Sequence, residues 1–113
     1  MEKQNKHKSL EEALKEFKEK IDEGRKSDLI LHLDDYEEFI AGNISRGDYC
    51  KAKYHIELLL TYYLGNNPFC RLPNQEKKME EIRETEPTMY RMMDASKKMY
   101  EVGIAAKSLL RFI

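Results

Sequence analysis

The sequence has no tryptophan, only two cysteines and three prolines, and no long unbroken run of apolar residues. Two cysteines cannot build the framework of a disulfide-stapled miniprotein. Cys50 and Cys70 also lack the CxxC spacing of a zinc knuckle or a thioredoxin-like site, so free thiols are expected. With so few prolines, long stretches contain nothing that interrupts a helix. No apolar run reaches the roughly 18 residues that a membrane span needs. The polar start, 1–9, lacks the apolar middle of a signal peptide, and a cytoplasmic protein is expected. An excess of one charge is missing too. Lys and Arg number 20 against 21 Asp and Glu, so nothing suggests a phosphate-neutralising grip on duplex DNA. There is no Gly-rich phosphate loop, no Gly-x-Ser-x-Gly turn and no His-Glu-x-x-His motif. These absences lead to the expectation of a non-enzymatic protein with no cofactor and no metal.

What is present is helical periodicity. Apolar residues make up 41% of the chain and fall in spaced runs, which predicts one folded domain over 9–113 after a disordered tail over 1–8. The expected fold is all-α, an antiparallel four-helix bundle with helices over 9–24, 27–46, 48–64 and 87–113 and a short charged helix within 74–86. Ser9 and Glu12 fit a capping box, and Leu10, Leu14, Phe17 and Ile21 follow at spacings of four, three and four. Ser27 reads as a second N-cap, leading into a stripe of Leu29, Leu33, Tyr36, Ile40 and Ile44. Gly47 then ends that helix in a left-handed residue, and Asp48 caps the next one. In 48–64, Tyr49, Ala52, Ile56, Leu59, Leu60 and Tyr63 form an apolar face. Leu58 and Tyr62 widen it to roughly 200°, so this helix is expected at the centre, covered from two sides.

Gly65 and the run Asn66-Asn67-Pro68 signal a stop, after which Phe69 and Leu72 are expected to plug the end of the bundle. Pro87 either opens a new helix or kinks a long one. Beyond it Met92, Ala95, Met99, Val102, Ala106, Leu109 and Ile113 alternate spacings of three and four. Ser96 and Gly103 run beside them, small enough for another helix to approach closely.

Several side chains could carry chemistry. His55 lies inside the apolar arc of 48–64 but has no carboxylate three or four residues away to orient it, so it reads as a core-edge histidine bonded to a carbonyl or a Tyr hydroxyl. Asp28, His32 and Asp35 share one side of 27–46, yet the Glu-x-x-His pairs of a di-metal bundle are missing, and an exposed acidic flank is expected. Tyr54, Tyr62, Tyr90 and Tyr100 remain outside the core stripes and interleave with lysines, which makes nucleic-acid binding the alternative function. Gly47-Asp48-Tyr49 followed by Ala52 and Ile56 resembles the turn and second helix of a tetratricopeptide hairpin. Tyr36 and Phe39 stand where that repeat has its leading aromatic and leucine, while Ile40, Asn43 and Leu64 depart from it. The resemblance covers about 30 residues and implies an antiparallel helix pair.

The leading functional expectation is a protein–protein interaction module that forms a homo-oligomer. The 87–113 helix is longer than the other three, so shorter neighbours cannot cover its whole length. A second stripe of Met93, Tyr100 and Ile104 lies off its main seam, and these three residues form the expected interaction surface.

Overall fold

The computed structural model describes residues 7, 9–67, 69 and 75–113. Among these residues there are helices and no strand: α1 (Leu10–Gly24), α2 (Leu33–Glu37), a π-helical turn (Glu38–Gly42), α3 (Asn43–Ser45), α4 (Tyr49–Leu64), α5 (Gln75–Ile82) and α6 (Pro87–Leu109). Among the described residues no helix is long and apolar enough to cross a membrane. Of the tail expected over 1–8, only His7 is described; Leu72 and Cys70 also lie outside the described residues.

α1 begins as its cap dictates, with Ser9 Oγ accepting from the Glu12 amide at 3.2 Å. Its buried side is Ala13, Phe17 and Ile21, while Leu10 and Leu14 pack at the margin of the core. The second helix differs from its expected start. It begins at Leu33, because Ser27 Oγ accepts from the Leu29 amide two residues on and closes a tight turn instead of capping a helix. His32, at φ 66°, sits in the left-handed region and separates that turn from α2. Ile30 is buried in place of Leu29, which is 44% exposed. Arg25 fastens this corner by bonding Asp34 at 2.7 Å and Glu37 at 2.5 Å, and its ion pair with Asp22 completes the cluster. Those carboxylates, Asp34 first, raise the guanidinium pKa above its ordinary value.

The helix from Leu33 to Ser45 is not uniform. Its middle widens into the π turn, across which Asn43 Nδ2 donates to the Phe39 carbonyl at 2.5 Å. Gly47, at φ 80°, then reverses the chain, and Asp48 Oδ1 accepts from the Lys51 amide. Phe39 stacks on His55, and further from the turn Tyr36 meets Tyr63 edge-on at 5.7 Å. Contacts that step outward along both helices of the hairpin make this pair antiparallel. Burial pushes the Tyr63 hydroxyl up to about 12, and it donates to the Leu31 carbonyl at 3.3 Å.

α4 is less enclosed than its wheel suggests. Ala52, Ile56, Leu59 and Tyr63 are buried at three- and four-residue spacing, but Tyr49, Tyr54 and Tyr62 are exposed, Tyr62 at 67%. Tyrosine widens an apolar arc on paper while its hydroxyl end stays in water. The C-terminal helix α6 packs on α1, α4 and α5. Pro87 occupies its first turn and starts a new helix. Ala95, Val102, Ala106 and Leu109 are buried along the expected seam, with Ala105 and Gly103 beside them; Met92, at 57% exposure, is not. α5 rests on α6 through buried Met79 and a Glu76–Lys97 pair at 3.2 Å.

Two contacts fix α4 against α6. Asn67 Nδ2 donates to the Tyr63 carbonyl at 3.0 Å and to the Ser96 carbonyl at 2.8 Å. At the other contact, a Cβ on residue 103 would lie 2.6 Å from Leu64 Cδ2 and 2.7 Å from its Cγ, so any larger residue forces the Leu64 side chain to shift. Overpacking costs about 1–3 kcal/mol, and alanine regains about 1 kcal/mol of helix propensity. Gly103→Ala should therefore destabilise the chain by up to about 2 kcal/mol. Leu64→Ala in the same chain removes the obstruction, so the double variant should lose less than the sum of the singles. Additive losses in urea melts would show that the two residues do not oppose one another.

Candidate functional site

A groove of about 850 Å³ runs between α1 and the C-terminal half of α6. Its apolar surface comes from Tyr100, Ile104, Ala105 and Leu110, with Glu16, Lys20, Glu101, Lys107 and Arg111 around it. Ile104 is 41% exposed because the seam that buries Val102, Ala106 and Leu109 points away from it. Lys20 stands 3.9 Å from Glu101, and His7 Nε2 lies 2.6 Å from Glu16 Oε1 at the edge of the groove. Tyr100 is half-buried, with the Phe69 ring 6.4 Å away. Phe69 thus stands beside the middle of α6 and not over a helix end.

Of the three residues expected on the interaction surface, Tyr100 and Ile104 come together in this groove. Met93 is half-buried two turns earlier and does not line it. The α1 wall, Glu16 and Lys20, carries no sequence signal of its own, since both belong to the charged flank of an amphipathic helix.

A second exposed surface lies on the hairpin. The imidazole of His55 stacks on Phe39 at 4.5 Å and 23°, and meets Tyr54 edge-on at 5.3 Å. It sits at the core edge as expected, but it is held by rings and not by the expected carbonyl or Tyr hydroxyl. Phe39 and Tyr54 are both exposed, and the π turn carries Phe39 to this position. Arg46 is engaged nearby by Glu38 at 3.5 Å and Asn43 at 3.2 Å.

The expected flank of Asp28, His32 and Asp35 does not converge. Asp28 lies in the turn before α2 and pairs with Arg91 at 2.8 Å, while His32 Nδ1 is 3.3 Å from Asp35. Among the described residues, no group of three His, Cys, Asp or Glu side chains is placed to hold a metal ion. Cys50 is an exposed free thiol. Set against protein-family models, curated proteins and solved structures, the chain matches none.

Proposed function

We propose that this chain is a non-enzymatic helical module that binds protein, a second copy of itself included, through the α6 groove. The observation that carries this reading is the groove at half-buried Tyr100 and exposed Ile104, which is apolar at its centre and charged around its edge, as protein interfaces are. An apolar patch of this kind on a small helical chain is a hydrophobic surface that a partner would remove from water. An antiparallel four-helix bundle remains our reading of the helix arrangement, with α6 as its common wall.

Single-stranded nucleic acid is a second reading, favoured by the exposed Phe39–His55–Tyr54 ladder on which bases could stack. Against it, Arg46 is held by Glu38. The two readings separate in one experiment. The variant carrying both Tyr100→Glu and Ile104→Glu should sediment as a monomer with unchanged helicity, while wild type sediments as a dimer. Unchanged sedimentation of that variant, or strong salt-sensitive binding of single-stranded oligonucleotide by wild type, would turn the assignment toward the hairpin face.

A further inference from the structure

The exposed side of α6 carries a charge pattern that selects one way for two copies to meet. Tyr100, Glu101, Ile104, Lys107 and Ser108 line the groove at helical spacing, with Glu101 three residues before Ile104 and Lys107 three residues after it. Lys107 forms no ion pair among the described residues; Glu101 stands 3.9 Å from Lys20, both side chains about one-third exposed, and its charge also acts on Lys97 one turn earlier. A parallel pairing of two α6 helices would set Glu101 against Glu101 and Lys107 against Lys107. Two helices packed 8–10 Å apart bring such like charges within range of mutual repulsion. An antiparallel pairing with its two-fold axis at Ile104 does the reverse. It brings Ile104 onto its own copy, Tyr100 near Ser108, and Glu101 opposite Lys107 at two symmetric positions. Moving the axis to Val102 would put Tyr100 over Ile104 but would set Lys97 against Lys107 and bring no cation from the partner to Glu101. The axis at Ile104 directs Lys97 toward Arg111, but Lys97 is already neutralised by Glu76 at 3.2 Å.

We infer, resting on the self-association proposed above, that the second copy lies antiparallel along α6 with the two-fold axis at Ile104, Glu101 of each protomer meeting the partner's Lys107. The pairing makes the interface self-complementary in charge, and it opposes the dipoles of the two helices favourably.

Charge exchange between separate chains tests this directly. Glu101→Lys alone and Lys107→Glu alone each place like charges at both symmetric positions, and each should weaken the dimer about tenfold in sedimentation at low salt. Mixed in equal amounts, the two variants should recover wild-type affinity as a heterodimer, since every contact is then again between opposite charges. Both changes in one chain should recover a homodimer. Circular dichroism checks that each variant is folded. If Glu101→Lys unfolds the chain by opposing Lys20, Glu101→Gln replaces it; its mixture with Lys107→Glu should still associate more tightly than Lys107→Glu alone. Wild type that dimerises while neither mixture nor double variant recovers affinity overturns the register and leaves self-association standing. Wild type that is monomeric overturns both.

Discussion

Phe17→Ala is expected to lower stability by about 3–5 kcal/mol, the range for removing a fully buried aromatic ring. Phe17 has no exposed surface and belongs to the core on the side of α1 that also holds Ala13 and Ile21. Nothing replaces the ring, because the groove that α1 shares with α6 lies toward Glu16 and Lys20. Ile56→Ala and Leu59→Ala on α4 should each cost about 2–5 kcal/mol by the same mechanism. Lys18→Ala, at an exposed position of α1, should be nearly silent. Urea denaturation of these four variants checks the set. A silent Phe17→Ala would mean that α1 does not pack as described.

Asn67→Asp should have a comparable effect through a different mechanism. Asn67 is buried, its amide donates to the carbonyls of Tyr63 and Ser96, and its side-chain oxygen accepts from the Phe69 amide at 2.9 Å. A carboxylate keeps the acceptor role but offers neither donor, leaving a charge against two carbonyl oxygens, for which about 3–5 kcal/mol is expected. Asn67→Ala, which only removes the bonds, should cost about 1–3 kcal/mol. The aspartate variant should also depend on pH. In the folded state burial and the facing carbonyls raise its pKa, so the folded chain holds the proton more tightly than the unfolded one. The loss relative to wild type should then be smallest in acid and grow as pH rises above about 4, the unfolded aspartate value. Thermal melts of both variants from acid to neutral pH would show this; equal, pH-independent losses would remove Asn67 from its bridging role.

The fold is legible wherever a side chain declares its role within one turn of itself. Ser9 and Asp48 announce caps and Gly47 a left-handed residue, and each stands where expected; Pro87 announces either a start or a kink, and it starts α6. Gly103 is legible too, since nothing except close packing explains glycine in the middle of a regular helix. Ser27 is ambiguous by its chemistry, because the same hydroxyl can cap a helix or close a turn two residues on. What decides is Leu33, whose side chain packs at Gly24 and holds the start of α2 there. The π turn leaves the spacing of Tyr36, Ile40 and Ile44 helical, so no periodicity betrays it. Tyr49 and Tyr62 count as apolar on a wheel, yet both are exposed, so the buried arc of α4 is narrower than the sequence implies.

The candidate site divides in the same way. Tyr100 and Ile104 stand out because they lie off the α6 seam, a local property of one helix. The opposite wall at Glu16 and Lys20 is invisible, since which flank of α1 lies beside α6 is settled only by packing. Asn67 reads as a helix stop, and its second task, bonding Ser96 of α6, spans too many residues for any pattern.

The claim that the α6 groove is where partners bind is tested most directly by backbone amide chemical shifts of the wild-type chain, followed from dilute to concentrated solution. Self-association through this groove predicts concentration-dependent shifts that gather on residues 100–111 of the C-terminal helix and on Glu16 to Lys20 of α1. Shifts that gather instead on Phe39, Tyr54 and His55, or spectra that do not change with concentration, would contradict it.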